Sequence, residues 1–313
     1  MLKTNDSKIK ISPSKCKTYC DCSNKFYLNY IEKVPQPSQI FFDLGTLAHF
    51  ILELLNKNAK RLDIVKKIIE ADSLDVYPNI QKIILKHINR YKLGVEDAIK
   101  IEKWVLCGLK NNYLHEGAIS VETEKYFSID IGNNLILNGF IDKLALYSDR
   151  ICIQDFKSSK SRYSGDDKTA NIQSALYIYA AKQLYPQYEY KDIGFNFIFL
   201  NFAKNPIIEI KYSKDQIEGT LEWVRYIGGL MHQWQDTDRY KNLAIDDFKT
   251  KWQCFSKGDF KCGYLMPMEY WEWKNEQGEK KTSIEKPINV AFPQKKIQYN
   301  GCQKAMEAYK RSR

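Results

Sequence analysis

No stretch of the 313-residue chain is apolar for long enough to cross a bilayer, which excludes a membrane-spanning helix and argues against a membrane partner. Residues 1–14, MLKTNDSKIKISPS, are charged and lack an apolar h-region, so no secretory signal is expected there and the protein is expected to be intracellular, in the cytoplasm. In that compartment the eight cysteines read as thiols, metal ligands or core residues and not as disulfides. No internal repeat is visible, which excludes a solenoid, and there is no long low-complexity tract. No helicase motif is present, so ATP-driven unwinding would belong to a partner.

What remains is the composition of a chain with a real core. Hydrophobic residues make up 44%, and the length suits one large domain with insertions or two domains. Forty-eight Lys and Arg against 38 Asp and Glu leave a net charge of +10. Such a surplus favours a polyanionic partner, nucleic acid before an anionic membrane, although lysines spread over a solvated surface would give the same total. Twenty-one Tyr and six Trp add stacking surface, most of it expected in the core.

Periodicity divides the chain. Ser12-Pro13-Ser14 starts an amphipathic helix, and PQPSQ at 35–39 breaks it. Residues 41–56 are apolar at helical spacing, and 59–118 read as several Lys-rich amphipathic helices. The period then changes to two: strands at 118–130 and in LILNGFIDKLALY and ICIQDFKSS, the first two joined by a tight turn at Gly132-Asn133-Asn134. A helix at 169–185, strands at 193–203 and 206–213, and a long helix follow, and the segment from about 235 is irregular. The expected class is mixed α/β: a helical insertion at 59–118, catalytic sheet and helices at 119–234, and a tail at 235–313 packing on the N-terminal segment of a single domain.

The hairpin carries the chemistry. With Ser148-Asp149 as a two-residue turn, opposing residue numbers sum to that of Tyr147 plus Arg150, which sets Asp142 opposite Asp155. Like charges across a ladder are destabilising, and burial makes them worse. A shared proton, a cation or a divalent metal would relieve them. Lys157 is two residues beyond Asp155 and shares its face. Two carboxylates and an ammonium suit metal-assisted phosphodiester hydrolysis, with the lysine orienting water and offsetting charge. A lone D-x-K is also common on ordinary surface hairpins.

The ordered set of motifs resembles the PD-(D/E)XK nuclease superfamily, specifically its RecB/AddB-like exonuclease branch, and also the exonucleases of CRISPR adaptation. Gly139 to Asp142, Asp155-Phe156-Lys157 and Gln173 to Tyr177 match the G-x-I/V-D, D/E-x-K and Q-x-x-x-Y elements. Upstream, Gly45 to His49 matches Gly-x-x-x-His, and Ser12-Pro13-Ser14 and Cys22 to Tyr27 match the opening. The resemblance implies the family's core, a central mixed sheet flanked by helices. It further implies Mg²⁺ or Mn²⁺ on His49, Asp142, Asp155 and the Phe156 carbonyl, with Lys157 catalytic. Gln173 and Tyr177, one helical turn apart, would line the site. An acidic residue on the preceding strand is also usual in the branch, and Glu122 and Glu124 compete for that place.

Many relatives bind a 4Fe–4S cluster through one N-terminal and three C-terminal cysteines. Cys22, Cys254 and Cys262 fit three places, whereas Met268 stands at the fourth, where a thioether is a poor replacement for a thiolate. Cys302, Cys16 or Cys20 could supply the missing ligand, or the cysteines could simply pack. Cys107 and Cys152 have core-like surroundings. The resulting expectation is a metal-dependent deoxyribonuclease, an exonuclease on DNA ends or single strands, with a helicase or recombination protein as partner. The rivals are a structure-specific endonuclease with the same site and a catalytically silent DNA-binding or partner-binding subunit of a recombination or repair complex.

Overall fold

The computed structural model describes residues 8–36, 40–56, 59–91, 93–111, 113–165, 171–188, 192–234, 254–256, 259–260, 262–288 and 290–303. Expectations for 235–253, and for the start of the helix expected at 169–185, lie outside them. By its contacts the chain divides into two compact units, residues 1–10 with 38–223 and residues 11–37 with 224–313.

The first unit is built on a six-stranded sheet. Strand β1 (Ile9–Ile11) borders β3 (Leu135–Leu146), which pairs antiparallel with both β2 (Ser120–Gly132) and β4 (Arg150–Lys157). Strand β5 (Asp192–Phe199) runs parallel to β4, and β6 (Ile207–Ile210) closes the edge antiparallel. The β2–β3 turn holds Asn133 and Asn134 at φ of 54° and 58°, the left-handed pair that a tight hairpin turn needs. At the other hairpin Tyr147 N–H donates to the Arg150 carbonyl at 2.9 Å, and Lys143 opposes Gln154 in the anticipated register.

Helices α3 (Ile40–Asn56), α4 (Ala59–Ala71), α5 (Pro78–Tyr91) and α6 (Val95–Lys110) bury Leu44, Ile51, Ile68, Ile84 and Trp104 in one core with Phe156, Ile198 and Leu200. A buried phenylalanine of this kind stabilises by roughly 1.5–3 kcal/mol. Helix α7 (Ile172–Leu184) starts at Asn171, whose Oδ1 accepts from Ser174 N–H at 3.2 Å. Its Tyr177 packs edge-on against Phe127 and tilted against Phe195. Gly139 admits this contact, since a Cβ there would stand 2.8 Å from the Phe127 ring. Helix α8 (Lys214–Trp234) follows. No helix among the described residues is long and apolar enough to cross a membrane.

In the second unit Pro13 and the Ser12 cap open α1 (Pro13–Asp21), followed by the short α2 (Ser23–Phe26) and a π-helical turn at Tyr27–Ile31. The irregular C-terminal segment contains short strands: β7 (Phe255–Ser256) pairs β8 (Asp259–Phe260), and β9 (Met268–Lys274) pairs β10 (Lys280–Ser283) and β11 (Lys295–Tyr299). Leu28 and Val34 share a small core with Tyr264 and Tyr270, and the Tyr264 hydroxyl donates to the Val34 carbonyl at 3.0 Å.

One buried cluster in the first unit is costly. Lys143 is fully buried, its Nζ donating to the Tyr113 carbonyl and lying 3.2 Å from the Tyr113 ring centre. Burial pushes its pKa down from 10.5 to about 6. The unfolded chain therefore binds a proton between pH 6 and 10.5 that the folded protein does not, and this contribution to stability falls as pH drops through that window. Burial, and then Lys143, also hold nearby His115 down at about 4, so a second loss begins below its ordinary value of 6.5. Lys143→Met removes the first cost but leaves the Tyr113 carbonyl short of a donor, for a net gain of about 2 kcal/mol at pH 7. Thermal melts should show a rise of roughly 5 °C and a flatter profile between pH 7 and 10; an unchanged profile would refute the burial argument.

Candidate active site

Strands β3 and β4 stop pairing after Lys143 and Gln154, one residue short of the place where Asp142 and Asp155 would face each other. There a side chain takes over: Asp142 Oδ2 accepts from Phe156 N–H at 2.9 Å and lies 3.3 Å from His49 Nδ1. Asp155, 1% exposed, lies 2.6 Å from Lys157 Nζ and accepts from Gln173 Nε2 at 2.7 Å. Lys157 Nζ in turn donates to Gln173 Oε1 at 2.8 Å. The carboxylate, ammonium and amide thus form a closed triangle, and α7 supplies its third corner.

The electrostatics follow from depth. Burial lifts the Asp155 carboxyl above its ordinary range, Lys157 pulls it back, and Asp142 pushes it up again. Burial also works against the Lys157 charge, but Asp155 outweighs it and the ammonium is held raised.

The structure separates the two competing glutamates. Glu122 is engaged elsewhere, accepting from Lys125 Nζ at 2.7 Å and from the Tyr185 hydroxyl. Burial opposes its charge, yet those two donors bring its pKa below the ordinary value. Glu124 lies between the pairs Thr123–Lys143 and Lys125–Ile141, hence opposite Asp142. Its φ of 48° is a left-handed conformation inside a strand, a strain of about 1–3 kcal/mol. Burial, then Asp142 and Glu53, raise its carboxyl to about 7, with His49 opposing.

Glu53, one helical turn after His49 on α3, escaped the sequence-based expectations, though its i, i+4 spacing from His49 could have flagged it. So did Tyr163, which packs edge-on against Phe197 and Phe199 and interacts with the Lys157 charge. Tyr177 lies behind the triangle, buried, sharing a hydrogen bond with Gln173. Helix α3 approaches the end of β4 because residue 45 is glycine: a Cβ there would stand 2.5 Å from Ser158 Oγ.

Carboxylate oxygens, one imidazole and a strand-end carbonyl are donors suited to Mg²⁺ or Mn²⁺. Among the described residues no three His, Cys, Asp or Glu side chains already converge as a metal cage. The contacts above give the reason: Asp155 faces Lys157 and Gln173, while Asp142 faces His49 and the Phe156 amide. A cation that bound these carboxylates would ease their repulsion. Millimolar Mn²⁺ should therefore raise the melting temperature, by about 2.7 kcal/mol of stability at a hundredfold excess over Kd. Asp142→Asn should shrink that gain, and a melt indifferent to Mn²⁺ would count against a metal at this hairpin.

All eight cysteines are free thiols. In the second unit, Cys254, Cys262 and Cys302 surround Leu265, and Cys22 interacts electrostatically with Cys262 and Cys302. Burial first, then the neighbouring thiols, lift Cys254 to about 12; burial raises Cys22 to about 11 and also raises Cys262. Two sulfurs receive N–H donors, Cys22 from Lys25 N at 3.3 Å and Cys302 from Asn24 Nδ2 at 3.4 Å. These thiols share one neighbourhood, but among the described residues no three His, Cys, Asp or Glu side chains, these cysteines included, converge as a metal cage. Met268 lies on β9 opposite Tyr299, beside the small tyrosine core.

The strand-borne Asp155-Phe156-Lys157, Asp142 on the neighbouring strand and Gln173 from the following helix come together here, and the chain belongs to the PD-(D/E)XK nuclease superfamily, whose model matches residues 10–262. Among characterised proteins it is similar to a subunit of the ATP-dependent helicase/deoxyribonuclease of Streptococcus pyogenes, at 23% identity over 220 residues in serotype M49 strain NZ131, in serotype M1 and in serotype M12 strain MGAS2096. Each alignment covers 68% of this chain and 20% of the relative, so the chain spans about a fifth of the length of the curated relatives it matches.

Proposed function

We propose that the chain is a metal-dependent deoxyribonuclease acting as an exonuclease on DNA ends or single strands. The observation that carries this reading is the buried Asp155–Lys157–Gln173 triangle beside Asp142 and His49. His49, Asp142, Asp155 and the Phe156 carbonyl would hold Mg²⁺ or Mn²⁺, which when bound makes water more acidic and offsets phosphate charge. Lys157, kept protonated by Asp155, would orient the attacking water and donate to a phosphate oxygen. Gln173 fixes the directions of both side chains, and the Phe156 amide pins Asp142. Glu124 adds negative charge next to Asp142 and would strengthen the hold on a cation.

We further propose that Cys22, Cys254, Cys262 and Cys302 bind a thiolate-ligated group, an iron–sulfur cluster in keeping with the resemblance, with Cys302 in place of Met268. A helicase as partner is proposed from the name of the S. pyogenes relatives alone. The deciding experiment is a time course with Mn²⁺ on end-labelled single-stranded and duplex DNA, with circular single strands alongside. Release of short products from ends, with circles intact, is expected. Cut circles would make the enzyme an endonuclease, and no cleavage of any substrate would leave a catalytically silent DNA-binding protein.

A further inference from the structure

Among the described residues of the first unit, three large aromatic side chains stand exposed, Phe50, Tyr126 and Phe140, and the last two lie on the strands that carry Glu124 and Asp142. Tyr126 and Phe140, 44% and 51% exposed, oppose each other across β2 and β3 with ring centres 5.1 Å apart. They lie two residues along their strands from Glu124 and Asp142, about 7 Å by strand rise. Phe50, 46% exposed, follows His49 directly on α3. Other rings around this site are packed: Phe127, Phe156, Tyr177, Phe195, Phe197 and Phe199 are all buried. Exposed aromatic surface costs free energy in water, and its concentration beside charged site residues marks a surface built to be covered.

We propose that Tyr126 and Phe140, with Phe50, form a base-stacking platform that holds an unpaired DNA strand within one or two nucleotides of the phosphate being cut. This rests on the nuclease reading and adds the form of the substrate. Every base has a π-face, so stacking rings grip a strand without reading its sequence. Bases inside a duplex already have both faces stacked and cannot use the platform, whereas single strands and frayed ends can. Continuity with the carboxylate site, and the chain's net charge of +10, favour a nucleic acid as occupant over an apolar protein surface. The platform therefore selects single-stranded over blunt duplex DNA by stacking, while the phosphate chemistry stays indifferent to base identity.

The test measures binding of the full chain, in EDTA to prevent cleavage, by fluorescence anisotropy with two labelled oligonucleotides of equal length. One carries thymine at every position, and the other carries a central abasic run with the same phosphates. The double substitution Tyr126→Ala with Phe140→Ala should raise Kd for the thymine strand by roughly tenfold or more. It should scarcely change Kd for the abasic strand, which the wild type should already bind as weakly as the variant binds thymine. Tyr126→Trp with Phe140→Trp should retain wild-type affinity, and Phe50→Ala should show a smaller loss of the same base-dependent kind. Circular dichroism confirms folding, and the tryptophan and Phe50 variants keep the question answerable if the double alanine variant misfolds. Equal losses on both strands, or no loss on either, would overturn the platform even if DNA is cut. A change confined to oligomeric state would make the rings a protein interface and overturn it as well. Failure of the wild type to bind or cut any DNA would remove the nuclease reading and the platform together.

Discussion

Asp155→Asn and Lys157→Ala each lose DNA cleavage by on the order of a thousandfold or more, with different structural costs. Asp155 is the deepest charge of the site, and Lys157 and Gln173 supply the hydrogen bonds and opposite charge that make its burial tolerable. Asn at 155 removes a negative ligand but keeps a polar partner for Gln173. Lys157, whose side chain is 21% exposed, can then turn towards water, so the fold changes little. Ala at 157 strips the buried carboxylate of its cation. A buried charge left unpaired costs about 3–5 kcal/mol, although Asp155, already raised by burial, can accept a proton and limit that cost. The variant should melt several degrees lower, and more so above pH 7, where keeping that proton costs more. Combining the two changes should cost no more activity than either alone, because both dismantle one unit. Cleavage within tenfold of wild type in a folded Asp155→Asn protein would sink the assignment.

The second large effect belongs to the thiols. If the four cysteines bind an iron–sulfur cluster, protein prepared without oxygen is brown and carries about four irons per chain. Cys262→Ser and Cys302→Ser should then bleach the protein and lower its melting temperature, because the group would tie Cys22, near the N-terminus, to three C-terminal positions. Met268→Leu should leave colour and iron content unchanged, since Met268 packs beside Tyr264 and Tyr270. Colourless, iron-free preparations would make the cluster an ordinary packed core. Cleavage should persist in that case, as no residue of the Asp155 triangle is a cysteine.

The hairpin register was legible from turn chemistry and alternation alone: Ser148-Asp149 sets the pairing, which runs to Lys143 and Gln154 and ends one residue short of Asp142 and Asp155. Helical spacing set Gln173 and Tyr177 on one face, whereas the place of Gln173 beside Lys157 came only from the family resemblance. The choice between Glu122 and Glu124 was not legible, because strand periodicity puts both on one face. A single left-handed residue breaks that rule at Glu124, and φ leaves no mark in the identity of a glutamate. Glu53 was hidden in a helix whose apolar pattern drew attention to packing. The gathering of Cys302 with Cys254 and Cys262 was also beyond spacing rules, since it depends on the strands folding back around Tyr264; Cys302 N–H donates to the Tyr264 carbonyl at 2.9 Å.

Gly45 acts as a spacer with a leverage out of proportion to its size. It sets how closely α3 rests on Ser158, which directly follows Lys157 at the end of β4. His49 rides on the next turn of the same rigid helix, about 6 Å further along its axis. A methyl group at position 45 would meet Ser158 Oγ at 2.5 Å and Ser158 Cβ at 3.3 Å, so the Ser158 side chain must turn away or the helix must give, and any give shifts the imidazole relative to Asp142. The spacing of His49 from Asp142 is therefore adjustable from a position that takes no part in their contact.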